Sequence, residues 1–101
     1  MAHRYSKKLL HQLRNDLDVA ALIRDVHALP SKVCDGVFRF QCPCCQGFDC
    51  ATNSRTNLAR CFHCQRNFNP IDLVMVVQRC GFIDAVESLR QMLRDPSSPR
   101  D

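Results

Sequence analysis

Cys42-Pro43-Cys44-Cys45 and, fifteen residues further on, Cys61-Phe62-His63-Cys64 organise the reading of this chain. Each is a Cys-x2-Cys turn, a tight loop that presents two thiolates to one point in space. Two such turns close a tetrahedron around Zn²⁺ with Zn–S bonds of about 2.3 Å. The spacing C-x2-C-x15-C-x2-C falls in the range of zinc sites, and the intervening segment is long enough for a hairpin that brings the turns together. Cys42, Cys45, Cys61 and Cys64 are the expected ligands of one Zn²⁺. Four thiolates leave no position for water, so the expected role of the metal is structural.

Competing chemistries fit less well. Disulfides need an oxidising compartment, yet the first residues lead into a pattern broken by His11, Gln12 and Arg14, unlike a signal peptide. No apolar run approaches the roughly 18 residues of a membrane span. A cytoplasmic location without a membrane partner is the expectation. A redox Cys-x2-Cys couple usually occurs singly beside a βαβ pattern, and neither condition is met. Of the other four cysteines, Cys50 and Cys80 read as small buried hydrophobes, and Cys34 carries no assignable role. Cys44 competes with Cys45 for the metal, but Cys-x-Cys spans a turn less well than Cys-x2-Cys. His63, between two ligands, is expected to face solvent or a partner.

Outward from the cysteines, texture divides the 101 residues into thirds. Residues 33–68 show no helical period. Val37-Phe38-Arg39-Phe40 alternates like a strand after an Asp35-Gly36 turn signal, and residues 49–52 and 58–62 are placed to pair across the polar run 52–57. Before them, Leu9, Leu10, Leu13 and Leu17 share one side of a basic amphipathic helix carrying Lys7, Lys8, His11 and Arg14. Asp18 is placed to cap a second helix with Val19, Leu22, Ile23 and Val26 on its apolar side, ending before Pro30. After them, Asn69-Pro70 opens a helix over residues 71–80 that is apolar nearly all round and must be covered on more than one side. Gly81 is placed to end it and also to start the next helix. Phe82, Ala85, Val86, Leu89, Met92 and Leu93 then form an apolar stripe. The expected architecture is α+β: a small antiparallel zinc ribbon flanked by N- and C-terminal helices. Its parts are a basic helix at 1–17, a ribbon domain at 18–94 and a disordered tail at 95–101.

With these residues placed, residues 18–94 resemble the zinc-binding domain of bacterial and phage DNA primases. The likeness rests on four segments in order: Cys42-Pro43-Cys44-Cys45, Cys61-Phe62-His63-Cys64, Ile71-Asp72-Leu73-Val74 and Phe82-Ile83-Asp84-Ala85-Val86. Cys45 stands where most bacterial members have histidine; the four-cysteine set is that of phage-type primases, which implies a phage or mobile-element setting. The polar-Pro-Ser-Phe stretch of the family is shortened to Gln46-Gly47-Phe48-Asp49. The glycines that usually follow the second pair are replaced by Gln65-Arg66-Asn67-Phe68. The resemblance implies recognition of a single-stranded DNA template during primer synthesis. Family members join this domain to a catalytic domain whose acidic residues hold Mg²⁺; this chain has no such strand motif. The expectation is therefore an accessory module, not an enzyme, acting with a separate polymerase, primase or helicase.

From Val37 to Phe68 four arginines, Arg39, Arg55, Arg60 and Arg66, stand against Asp49 as the one acid. Five of the six phenylalanines lie there too, which suits a single strand held by phosphate contacts and base stacking. Phe38 and Phe40 are expected in the core; Phe48 and Phe62 are the candidates for exposure. The expected nucleic-acid contacts are Arg39, Arg55, Arg60, Phe62, His63 and Arg66. The formal charge of +4 falls to about +2 once four thiolates and Zn²⁺ are counted, so binding should be weak and salt-sensitive alone. The alternative is a zinc-ribbon adaptor that binds protein and no nucleic acid.

Overall fold

The computed structural model describes residues 5–94. The expected tail at 95–101, and residues 1–4 of the expected basic helix, lie outside them. The elements run α1 (Lys7–Asn15), α2 (Val19–Ala21) continued by a π-helical turn (Leu22–Val26), β1 (Ser31–Cys34), β2 (Val37–Phe40), β3 (Cys50–Asn53), β4 (Leu58–Cys61), β5 (Arg66–Phe68), α3 (Pro70–Gln78) and α4 (Phe82–Arg94). All five strands form one antiparallel sheet in chain order, so every connection is a hairpin or a knuckle. The expected α+β class holds.

Two strands exceed the sequence reading. β1 was implied by the Asp35-Gly36 turn, because a two-residue turn in front of Val37–Phe40 requires a partner on its other side. Both turn residues have positive φ, 53° and 77°, the geometry that matches the twist of paired strands. β5 has only three residues, and its existence depends on β4 pairing Ala59 with Phe68.

Side chains alternate across the sheet. Phe40, Cys50, Ala59, Cys61 and Phe68 point to one face and are fully buried. That face meets Val19, Leu22 and Ile23 from the second helical segment, Ile71, Leu73 and Val74 from α3, and Ala85, Val86 and Leu89 from α4 in a single core. α1 adds Leu13 and packs across α3 and α4. The nearly all-apolar α3 is thus covered by the sheet edge, α1 and α4. Phe38 is half-buried against this core, as its place beside Phe40 predicts. The Tyr5 ring meets Phe82 edge-on at 6.3 Å, and its hydroxyl donates to Glu87.

Of the two expected N-caps, Asn69 forms and Asp18 does not. Ser6 caps α1, accepting from the Leu9 amide at 3.0 Å, and Asn69 forms a capping box with Asp72 at α3. Asp18, however, makes no side-chain cap bond. The Val19 amide donates instead to Asn57 Oδ1 at 2.9 Å, from the distant β3–β4 turn. Gly81 does not end α3. Arg79 takes the left-handed position (φ 53°) after Gln78, and Gly81 stands before α4, its carbonyl accepting from Ala85. Val26, expected on the apolar side of its helix, is exposed, because the change to a π-helical turn rotates it away from the core. Among the described residues no helix is long and apolar enough to cross a membrane.

Candidate metal centre

β4 ends at Cys61, and the register opposite β3 sets Cys50 directly across from it. Cys42 lies just beyond β2, where Gln41 already bonds back to the Pro30 carbonyl. The two knuckles therefore open from neighbouring strand ends. Their Sγ atoms, those of Cys42, Cys45, Cys61 and Cys64, lie within 4.8 Å of one another and form a group that could hold a metal ion. A tetrahedral ion with metal–sulfur bonds of about 2.3 Å separates its ligands by about 3.8 Å. The Cys42–Cys64 and Cys45–Cys61 separations are 4.0 and 3.7 Å. The cage already has the size that such an ion needs.

The knuckles are built alike. The amides of Cys44 and Cys45 donate to Cys42 Sγ at 3.3 and 3.5 Å, and the amide of Cys64 donates to Cys61 Sγ at 3.3 Å. Each knuckle closes with a left-handed residue directly after its second cysteine, Gln46 (φ 65°) and Gln65 (φ 57°). Glycine adopts that conformation without strain, which is the physical reason for glycine at such a place. In the first knuckle the Gln46 amide donates to the Cys42 carbonyl and the Cys42 amide to the Gly47 carbonyl.

These bonds divide the thiols electrostatically. Burial pushes Cys42 up, but the Cys45 and Cys44 amides and the thiols of Cys61 and Cys45 outweigh it and bring the group down to about 6. At Cys61 burial likewise works upward, and the Cys64 amide with the neighbouring thiols carries it below its ordinary value. Cys64 is pushed up to about 12 by desolvation and by its crowded sulfur neighbours. One thiolate in each knuckle is thus favoured, and the remaining thiols need a cation to ionise fully.

The other cysteines separate cleanly. Cys50 is fully buried and, as the sequence suggests, packs in the core. Burial beside the sulfurs of Cys61 and Cys42 pushes its thiol up, which keeps it protonated behind the cage. Cys44 is exposed and stands outside the four-sulfur group, with Arg66 Nη1 3.5 Å from its Sγ. Cys80 is half-buried beneath the end of α3, near the Val74 carbonyl. His63 is exposed and also outside the group. Asp16-Leu17-Asp18 has the Asp-x-Asp spelling of a catalytic carboxylate pair, yet both acids are exposed in the turn between α1 and α2 and not on a strand.

Compared with protein-family models and with characterised proteins, the chain matches none.

The sheet face opposite the core collects most of the remaining candidates. Pairing places Lys32, Arg39, Ala51, Arg60 and Asn67 side by side in one row across all five strands. With strands about 4.8 Å apart, Arg39 and Arg60 flank Ala51 at a separation of about 10 Å between backbones. The Arg60 guanidinium sits 5.7 Å from the Phe62 ring and donates to Asn67 Oδ1 at 3.2 Å. Phe62 is 57% exposed. At the β3–β4 end the face deepens into a groove of about 510 Å³, whose lining includes Ala51, Asn53, Arg55, Arg60, Phe62 and Asn67.

Arg66 does not join this row. It pairs with Cys61, so parity turns it to the other side of β5, where its guanidinium lies 5.0 Å from the buried Phe68 ring. One contributor escaped the sequence reading. Lys32 joins the row from β1, with its ammonium 5.3 Å from the ring of Phe48. Phe48 is 38% exposed, in keeping with its expected exposure. The signal for Lys32 was the Asp35-Gly36 turn, which fixes its pairing with Arg39.

Proposed function

We propose that this chain is a primase-like zinc-ribbon module that recognises single-stranded DNA template and supports primer synthesis together with a separate replication enzyme. The observation that carries the reading is the row Lys32–Arg39–Ala51–Arg60–Asn67 with Phe62 stacked beneath Arg60. A strip with cations on both sides of an alanine floor, and an exposed ring at its end, suits an unpaired strand. Phosphates meet the arginines, and a base stacks on Phe62 at about 1–3 kcal/mol. Arg39, Arg55 and Arg60 are the phosphate contacts in this reading, and exposed His63 lies next to Phe62 on the knuckle. Duplex DNA fits less well, since the described face offers neither a helix nor a projecting ribbon for the major groove.

The metal in this reading is Zn²⁺. Four thiolates in a cage of tetrahedral size, saturated by protein, match a closed structural zinc site. The ion would hold the two knuckles against the strand ends and so keep the row in place. Nucleotidyl transfer is assigned to the partner, a polymerase, primase or helicase, with both acting in the cytoplasm.

Fluorescence anisotropy with labelled single-stranded and duplex oligonucleotides across a salt series tests this. Single-strand binding should be measurable at about 50 mM salt and fall steeply as salt rises. Ala51→Glu, which sets a carboxylate between Arg39 and Arg60, should abolish it while leaving the metal content and melting temperature intact. Absence of single-strand binding by the parent protein at about 50 mM salt refutes the template reading and favours the protein-adaptor alternative.

A further inference from the structure

The hairpin that lines the groove does not end in solvent. Its turn residue Asn57 is 9% exposed and reaches into the start of the chain. Asn57 Nδ2 donates to the Arg14 carbonyl at 2.6 Å and to the Leu17 carbonyl at 2.7 Å. Arg55, two residues earlier, lines the groove. The C-terminal end of α1 is therefore fixed against the tip of the groove by direct hydrogen bonds.

α1 presents an exposed basic stripe from that point. Lys7, His11 and Arg14 follow one another at spacings of four and three, so they share one side of the helix, away from Leu9 and Leu13. All three are exposed, and none has an ion pair among the described residues. Arg14 stands nearest the groove tip, and Lys7 lies about 10 Å further along the axis. No acidic residue occurs within α1 itself. The core fold does not need the Lys7 and Arg14 charges: α1 is held by Leu13, by its Ser6 cap and by Asn57. Two cations flanking an exposed imidazole, anchored where a basic groove ends, have the chemistry of a backbone track.

We infer that α1 is a second nucleic-acid contact, which takes the phosphodiester backbone of a single strand where it leaves the sheet groove past Arg55 and leads it along Arg14, His11 and Lys7. This rests on the template reading of the sheet face and extends it to a helix outside the region of primase resemblance. The strand is held by charge here, without base stacking, so this segment should be indifferent to sequence.

Oligonucleotides of increasing length separate the two contacts. A short one, of about 4 nucleotides, fills the groove alone, and one of about 12 also reaches α1. The parent should bind the longer strand several-fold more tightly than the shorter. Arg14→Glu combined with Lys7→Glu should remove that gain and lower the salt slope for the longer strand by about 1.4, two contacts at about 0.7 each. Binding of the short strand should change by less than about twofold. Arg14→Gln with Lys7→Gln, which keeps helix-forming side chains, should show the same pattern at smaller size. Unchanged long-strand binding in both variants overturns the inference, and so does an equal loss for both lengths, which would be a general field effect. If the parent binds neither length, the template reading itself falls and this extension falls with it; if it binds both equally, only the extension falls.

Discussion

Asn57 should be the most costly polar residue to replace outside the metal cage. It belongs to a run, residues 52–57, that looks like solvated turn, but its side chain makes three hydrogen bonds at the junction of α1, α2 and the β3–β4 hairpin. Each bond contributes about 1 kcal/mol net, and the buried partners lose more when nothing replaces it. Asn57 also has φ 56°, a left-handed backbone that costs most other residues about 1–2 kcal/mol. Asn57→Gly keeps the backbone free of strain and removes all three bonds, so the loss should be about 3 kcal/mol. At about 4–8 °C per kcal/mol for a domain of this size, the melting temperature falls by about 12–24 °C. Asn57→Ala adds left-handed strain but avoids the extra unfolded-state entropy of glycine, and should fall within about 1 kcal/mol of it. Asn57→Asp keeps the acceptor for the Val19 amide yet sets a carboxylate against two carbonyls, and should be at least as damaging as glycine.

Thermal melts followed by far-UV circular dichroism on metal-loaded protein measure this, with hydrogen exchange at the Val19 amide as the local reporter. Metal content should stay at the parent value, because the cage lies at the opposite end of the hairpin from Asn57. The comparison of glycine with alanine isolates the cause. If the turn conformation alone mattered, Asn57→Gly would melt within about 3 °C of the parent while Asn57→Ala fell well below it. That result refutes the three-bond bridge.

The cage carries the other predictions. Elemental analysis should give one zinc per chain, and Cys42→Ser or Cys64→Ser should unfold the ribbon, since apparent zinc binding of about 10–16 kcal/mol acts as folding energy in such modules; a serine variant with the parent melting temperature contradicts this. Acid should act through the same sulfurs. Cys42 is depressed from its ordinary 9.0 to about 6, so its stabilising contribution is complete above pH 9 and is lost as pH falls through 6. Metal retention pushes that loss to still lower pH, and the cage sulfurs should take up more than one proton for each ion released, as a dye-based release titration can count. Gln65→Gly should raise stability by about 0.5–1 kcal/mol, the left-handed strain relieved less the entropy of glycine, and an unchanged or lower melting temperature refutes the strain argument.

The four-cysteine group, the start of α3 and the stripe of α4 were legible because each depends on a local rule. Two Cys-x2-Cys turns declare themselves by spacing, Asn69-Pro70 by capping chemistry, and α4 by its 3.6-residue period. What failed to show depends on partners distant in sequence. The expected cap at Asp18 is a reasonable local inference, but the helix start is held instead through the Val19 amide by Asn57, 38 residues further along the chain. Once that long-range acceptor is in place, Asp18 is left exposed and its propensity is irrelevant. Arg79 rather than Gly81 takes the left-handed position for a related reason: Gly81 supplies the carbonyl that starts α4, so the turn must be completed two residues earlier.

The basic face was legible in composition but not in membership, and the cage explains the difference. Counting arginines between Val37 and Phe68 finds four and cannot say which share a side. Side chains in a strand alternate, so one fixed residue determines the rest. Cys61 has to turn inward to meet Cys42, Cys45 and Cys64. That requirement sends its neighbours Arg60 and Phe62 to the opposite face, and pairing then carries Ala51, Arg39 and Lys32 with Arg60. The same parity sets Arg66, opposite Cys61, on the metal side, where it meets Cys44. The sulfur ligands thus do more than hold the middle of a small protein together. By fixing the side to which β4 turns they decide which cations stand in the row, so the four-sulfur cage and the basic face are one structural decision, not two.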